Sequence, residues 1–215
     1  MSEKSEYGFA RERAGGLPEQ TSAKRVELPP AEGRVLLHVC CAPCSGAIVE
    51  SLVRSGIRPV IFFSNSNIFP AAEFEKRLGE VLRYAALYGL ETVRDEYEPE
   101  AWLEAVKGLE DEPERGRRCA ACFRFRLERA AAYASEHGFS VLATTLASSR
   151  WKDLAQVDAA GEEACAKFPG VTWWGRNWRK GGLQERRGQI IKEQNFYNQL
   201  YCGCPFSENY GISED

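Results

Sequence analysis

What this chain of 215 residues lacks excludes several classes of function before any motif is read. No run of about 20 apolar residues is present, so no segment reads as a membrane span. Met1 to Lys24 carries Glu3, Lys4, Glu6, Arg11, Glu12, Arg13 and Glu19 where a secretory leader would need an apolar stretch, which makes the cytoplasm the expected compartment. Charge of one sign is not in excess either. The 28 Lys and Arg stand against 31 Asp and Glu, a net of −3, and nothing draws the whole molecule toward a polyanion. No internal repeat is visible, which removes solenoid architectures. Histidine is scarce, with 2 in the chain. His38 falls in an apolar run and reads as a core residue or as support for a site, and His137 falls at a helix end where a cation is favoured, so neither is assigned as a ligand.

Cysteine, by contrast, is abundant and unevenly placed. Of 8 cysteines, all but Cys165 fall into three close-set groups: Cys40, Cys41 and Cys44; Cys119 and Cys122; Cys202 and Cys204. A hydrophobic content of 44% supports a core without covalent staples. In a reducing compartment, clustered cysteines hold metal or cycle between redox states more readily than they form a disulfide scaffold. Cys165, alone, reads as a small buried apolar side chain.

The order of elements reads as one α/β domain over 33–215 with a largely parallel sheet flanked by helices, preceded by a polar, flexible tail over 1–32 that contains Gly15, Gly16, Pro18, Pro29 and Pro30. Arg34 to Val39, Arg58 to Phe63 and Phe139 to Ala143 are short apolar runs suited to buried parallel strands, and Glu91 to Val93 and Val171 to Trp174 are weaker strands. Helices are expected after Pro43 up to Gly56, from Pro70 to Gly89, and over Pro99–Leu109, Arg118–His137, Trp151–Phe168 and Gln184–Asn195. The charged stretch Glu110 to Gly116 reads as an exposed loop.

In open parallel sheets, ligands gather where strands end and helices begin. A nucleotide-binding fold needs glycines there, and this chain places Cys40, Cys41, Pro43 and Cys44 after its first strand. Cys119 and Cys122 stand three apart at a helix start, so they share a face close to the positive end of the dipole, which favours thiolate. Two cysteines from each group make four ligands, enough for a cuboidal iron-sulfur cluster or a tetrahedral zinc. Four thiolates do not distinguish the two. Adjacency does favour iron-sulfur, because neighbouring side chains diverge and suit separated corners better than one ion. The Cys202-Gly203-Cys204 pair would close a strained ring on oxidation, which makes it reactive, and it reads either as a redox pair or as a reduced pair capping the last turn. Asn65 and Asn67 could orient a substrate or cap backbone.

Basic residues are clustered although the net charge is not. Arg115, Arg117, Arg118, Arg124, Arg126 and Arg129 surround the second cysteine pair, Arg150 and Lys152 form a second group, and Trp173, Trp174, Arg176, Trp178, Arg179 and Lys180 interleave rings with cations. Guanidinium groups neutralise phosphate and indole faces stack on unpaired bases, so Arg124, Arg126, Lys152, Trp174, Arg176, Arg179 and Lys180 are candidate RNA contacts. The alternative is a strand with one tryptophan in the core and arginines facing solvent.

The motifs, taken in order, resemble the epoxyqueuosine reductases of the QueH type. The residues that carry the likeness are His38-Val39-Cys40-Cys41-Ala42-Pro43-Cys44-Ser45; Asn65-Ser66-Asn67-Ile68 with Pro70, Glu73 and Arg77; Arg118-Cys119-Ala120-Ala121-Cys122 with Arg126-Leu127; Thr144-Thr145-Leu146 with Ser149 and Lys152; and Tyr201-Cys202-Gly203-Cys204. They span Val35 to Ser207. The resemblance implies a Rossmann-like fold of the adenine-nucleotide hydrolase-like (HUP) type. It implies a 4Fe-4S cluster held by Cys40, Cys41, Cys119 and Cys122, and an additional mononuclear iron to which Cys44 is the expected non-cluster ligand, in a position where some members carry Asp. It also implies reductive removal of the epoxide oxygen of epoxyqueuosine at the wobble position of a tRNA, with electrons from an unnamed donor and with Cys202 and Cys204 supplying reducing equivalents, through a disulfide, or protons. For the tail before Arg34 the family offers no role.

Two other readings remain at this stage. An ATP-dependent tRNA sulfur-transfer enzyme of similar fold would need a glycine-rich, aspartate-containing loop after the first strand. A non-catalytic zinc-binding module that interacts with tRNA would use the thiols and arginines but leaves Cys202 and Cys204 without a task.

Overall fold

The computed structural model describes residues 25–27 and 29–207. Five strands form one sheet in the order β3-β2-β1-β4-β5, with every neighbouring pair parallel. The strands are β1 (Val35–His38), β2 (Val60–Phe63), β3 (Thr92–Arg94), β4 (Val141–Thr144) and β5 (Thr172–Trp173). The helices are α1 (Ala42–Arg54), α2 (Ala71–Leu87), α3 (Pro99–Ala105), α4 (Arg117–Glu136), α5 (Leu154–Ala166) and α6 (Leu183–Glu193). This is a Rossmann-like α/β arrangement, as the alternation of apolar runs and helical patterns predicts.

The central strands β1 and β4 are buried at every position. That follows from their composition: Val-Leu-Leu-His and Val-Leu-Ala-Thr offer apolar side chains to both faces, which suits a strand covered on both sides. Their register pairs Leu37 with Ala143 and His38 with Thr144, so the two strands end level with each other. Helices pack in two groups, α1 with α2 and α6, and α4 with α5. Right-handed crossovers put these groups on opposite faces of the sheet. Phe62, Phe63, Phe74, Leu36, Leu37, Ile48 and Leu52 fill the space between them, each 1% exposed or less.

Several boundaries differ from the sequence expectation. Helix α5 begins at Leu154 rather than Trp151, because the Asp153 side chain accepts the Gln156 amide at 3.0 Å and caps the helix there. Residues 149–153 are therefore a loop. Helix α3 stops at Ala105, with Gly108 just beyond at φ +77, rather than reaching Leu109. Most of the expected tail lies outside the described residues, but 25–27 contact the domain: the Val26 amide donates to Ser55 Oγ at 2.9 Å and Glu27 pairs with Arg176.

The contact of α5 with β5 depends on a missing side chain. A Cβ at Gly161 would lie 2.2 Å from the Trp173 ring. Gly161→Ala must push the ring or the helix away, and overpacking of this kind costs about 1–3 kcal/mol. Urea unfolding is expected to show a lower midpoint at an unchanged slope.

Candidate metal centre

The strand order reverses between β1 and β4, which opens a crevice at their carboxyl ends. His38, the last residue of β1, braces the floor. Its Nε2–H donates to the Ser64 carbonyl at 3.1 Å, leaving Nδ1 to accept the Thr144 hydroxyl at 2.7 Å. Burial, followed by the nearby Arg126 charge, lowers its pKa to about 3, so the ring is neutral and ties the ends of β1, β2 and β4 together. It is a supporting group, as read from its place in the apolar run.

Above this floor the chain turns sharply into α1. Cys41 is the N-cap in extended conformation, φ −172 and ψ 162, and Pro43 starts the helix. The turn aims three sulfurs at one place: Cys40, Cys41 and Cys44 have Sγ atoms within 4.8 Å of one another, with Cys40 and Cys41 3.8 Å apart, and all three residues are buried. Thr145 fixes the first of them. Its hydroxyl accepts the Cys40 amide at 3.2 Å and donates to Cys40 Sγ at 3.5 Å.

Three thiols this close do not share charge evenly. Hydrogen bonds from Cys41 and Cys44 hold Cys40 well below the usual thiol range, and the Lys152 and Arg126 charges add to that against the cost of burial. Cys41 is raised in consequence, first by its bond to Cys40, and Cys44 likewise. Burial alone would lower Lys152, but the nearby Cys40, Cys44 and Cys202 sulfurs raise it overall, so it stays an ammonium among the thiols.

Cys119 and Cys122 come from the first turns of α4 and line the same cavity of about 620 Å3. They do not join the tight group of three, so one cavity collects all five sulfurs in two sets. The helix start does not prevail over burial here. Desolvation pushes Cys119 up to about 11 and also raises Cys122, so thiolate at these positions calls for a bound cation. The Arg115 amide already donates to Cys119 Sγ at 3.3 Å.

Cys202 and Cys204 close the cavity from the far end of the chain. The loop that carries them is held by Tyr201 Oη on the Phe69 carbonyl at 2.6 Å, by the Phe69 amide on the Gly203 carbonyl at 2.9 Å, and by Arg77 Nη2 on the Tyr201 carbonyl at 3.3 Å. Gly203 sits at φ +101, and a Cβ there would lie 2.7 Å from Ile68, so only glycine fits between the two cysteines. Arg118, buried, reaches the carbonyls of Glu110, Glu112 and Phe206 and thereby joins α4 to this last loop. All eight cysteines are free thiols. The Cys204 hydrogen bond, then Lys152, lowers Cys202 to about 6, whereas Cys204 is raised by the same bond. In reduced, metal-free protein, iodoacetamide is expected to modify Cys202 first, with labelling that rises as pH passes upward through about 6 and is lost below it. Labelling that begins only near the ordinary thiol value of about 8.5 would contradict this.

The residues fit a thiolate-bound metal centre by their own chemistry. Soft, buried sulfur donors suit iron-sulfur clusters or zinc and not the hard cations. The wall also holds Asn67 Oδ1 and Arg118 Nε, buried polar atoms without a hydrogen-bond partner among the described residues, where an enclosed guest with donor or acceptor groups would be met.

The candidate RNA contacts divide. Lys152 and Arg126 line the cavity, although Arg126 is buried and bonded to the Ser64 carbonyl at 3.2 Å and to Asn65 Oδ1. Trp174 is 6% exposed and stands edge-on to buried Trp178, whose indole donates to the Thr144 carbonyl at 3.0 Å, so Trp174 has no free face for a base. Arg176 pairs with Glu27 and lies over Trp178; Arg179 donates to the carbonyls of Ser149 at 2.6 Å and Lys152 at 2.7 Å. Arg124 pairs with Glu163 at 3.6 Å, and neither it, Arg176, Arg179 nor Lys180 lines the cavity. Within residues 173–180, Arg179 braces the loop 149–153, Trp174 and Trp178 lie in the core, and Arg176 is tied to Glu27. Sequence reasoning passed over Trp151 and Gln184 as site residues, and both line the cavity with Arg187. The Asp153 cap signal, Asp followed three residues later by Gln, would have left Trp151 in a loop and in view.

Comparison with known proteins follows the same geometry. A family profile described as "Epoxyqueuosine reductase QueH" matches residues 35–210. A protein of that name from Histophilus somni is 45% identical over 183 residues, covering 85% of this chain and 75% of the relative. One from Haemophilus influenzae is 44% identical over 184 residues, with 86% and 75% covered. One from Thermotoga maritima is 37% identical over 179 residues, with 81% and 90% covered.

Proposed function

Since the chain belongs to the epoxyqueuosine reductase QueH family of oxidoreductases, we propose that it removes the epoxide oxygen of epoxyqueuosine at the wobble position of a tRNA, with a 4Fe-4S cluster and an additional iron as its resident metals. Cys40, Cys41, Cys119 and Cys122 are the proposed cluster ligands and Cys44 the proposed ligand of the added iron. When bound, these groups supply electrons one at a time and Lewis acidity toward oxygen. The single observation that carries the reading is the convergence of cysteines from three distant segments on one cavity.

The reaction consumes two electrons and two protons, opens the epoxide to an alkene and releases its oxygen as water. The chain's own groups supply what a metal does not. Lys152 holds a proton beside Cys40, Cys44 and Cys202 and offers it to the departing oxygen. Cys202, kept near its thiolate form by Cys204, is placed to give electrons with Cys204 and to leave as a disulfide that the donor then reduces. Asn67, with an unpartnered Oδ1 on the cavity wall and its amide within 3.5 Å of the Cys202 carbonyl, is a contact for the substrate. The described residues contain no helix long and apolar enough to cross a membrane; the cytoplasm is the proposed place of work because the proposed substrate is a tRNA.

Elemental analysis and turnover on anaerobically purified protein test the proposal. Iron and acid-labile sulfide with conversion of an epoxyqueuosine-containing RNA are expected; zinc in place of iron, with no conversion, would overturn it.

A further inference from the structure

The cavity mouth carries an exposed ring. Among the described residues, Trp151 is 64% exposed, the most exposed of the large hydrophobic side chains, and with Leu200 at 42% it lines the cavity. An indole this free is not there to fill a core. The loop that presents it is nevertheless held firmly from three sides. Arg115 donates from Nε to the Trp151 carbonyl at 3.2 Å and from Nη2 to the Arg150 carbonyl at 3.3 Å. Arg179 takes the carbonyls of Ser149 and Lys152, and Gln184 donates to the Ser148 carbonyl at 2.7 Å. Arg115 is itself pinned by Gln156, which donates to its carbonyl at 2.7 Å, and adopts φ +66, a conformation that costs a non-glycine residue about 1 kcal/mol or more.

Charge around the ring is of one sign. Arg115, Arg150, Lys152 and Arg187 line the mouth, and their recorded contacts are with carbonyls, sulfurs or the ring rather than with carboxylates: Arg187 donates to the Pro43 carbonyl at 2.9 Å and Arg150 lies 4.9 Å from the Trp151 centroid. Glu114 is the one acidic residue in the lining. A rigid, exposed aromatic face beside three guanidinium groups that no carboxylate pairs among the described residues, Arg115, Arg150 and Arg187, is the arrangement that binds single-stranded nucleic acid, with phosphates on the cations and a base on the ring.

We propose that the loop 149–153 is the docking platform for the anticodon loop, with Trp151 stacking on an unpaired nucleotide next to the one that enters the cavity, and with Arg150 and Arg187 contacting the flanking phosphates. The proposal rests on the tRNA substrate class assigned above and adds the residues that select it. Stacking is sequence-tolerant, so Trp151 positions the strand while the cavity reads the modified base.

Binding of a synthetic anticodon stem-loop to the anaerobically purified holoenzyme, at several salt concentrations, tests it. Trp151→Ala is expected to weaken binding about tenfold or more, in the range typical of a lost base stack, to raise KM with little change in kcat, and to leave iron content unaltered. Trp151→Phe, which keeps an aromatic face, is expected to recover most of the affinity. Arg150→Gln and Arg187→Gln should each flatten the dependence of log K on log salt by about 0.7, the value for one single-strand phosphate. Stem-loop affinity unchanged in Trp151→Ala overturns the proposal. So does a Trp151→Ala effect confined to the rate with the protein electron donor, which would assign this face to that partner. Iron content is read on the same samples: protein that loses RNA in Trp151→Ala but never held iron would sink the metal-centre reading and leave the platform standing.

Discussion

Cys119→Ala protein is expected to purify colourless, without an intact cluster and without turnover, while remaining folded. The fold should survive because Cys119 is only half-buried near the start of α4 and its hydrogen bond is to the Arg115 amide. Its side chain is a minor, partly buried contact at the edge of the core. The proposed cluster would suffer, because its ligand set spans two segments and one missing corner would leave an iron open to solvent and oxygen. Iron analysis, visible absorption and circular dichroism on the same sample separate loss of metal from loss of fold. Cys165→Ala is the control: that side chain lies in α5 outside the cavity, so iron and colour are retained. A brown, active Cys119→Ala would refute the ligand assignment.

The second large effect concerns stability. Glu50, on α1 and 1% exposed, meets Arg186 Nε of α6 at 2.8 Å, and the same guanidinium holds Glu193 through both terminal nitrogens at 2.7 and 2.9 Å. Arg186→Met leaves the Glu50 carboxylate buried without a counter-charge, a change that costs about 3–5 kcal/mol. Glu50→Leu with Arg186→Leu removes the stranded charge together with its partner and is expected to unfold at a clearly higher urea concentration than Arg186→Met. The reverse order would show that α6 is held by packing alone. Because Gln184 and Arg187 lie on the same helix and line the cavity, Arg186→Met should also weaken substrate binding at temperatures well below its midpoint.

The central strands were legible because they are buried on both faces and so appear as uninterrupted apolar runs; β1 and β2 fall inside the expected stretches and β4 runs one residue past its own, to Thr144. The cysteine groups were legible because thiols at helix starts have few other uses. What could not be read was proximity. Spacing paired Cys40 and Cys41 with Cys119 and Cys122 as equals, whereas the tight group is Cys40, Cys41 and Cys44, because a proline-started helix brings Cys44 back over its own N-cap. The aromatic and basic stretch 173–180 looked like a nucleic-acid surface because sequence shows residue types and not exposure. The rings of Trp174 and Trp178 are buried and Arg179 turns in to hold the 149–153 loop, and the exposed ring stands one short helix cap away, at Trp151.

The cavity wall is finished by the Tyr201–Cys204 loop, clamped to Phe69, Arg77 and Arg118. A ribosome adding about 5–20 residues per second releases Cys40 some ten to thirty seconds before Cys202. During that interval a nascent chain can assemble β1 and the first three thiols with one side open to solvent. Early metal capture would therefore meet an unsealed nest, and metal delivered only after chain release would find the thiols enclosed.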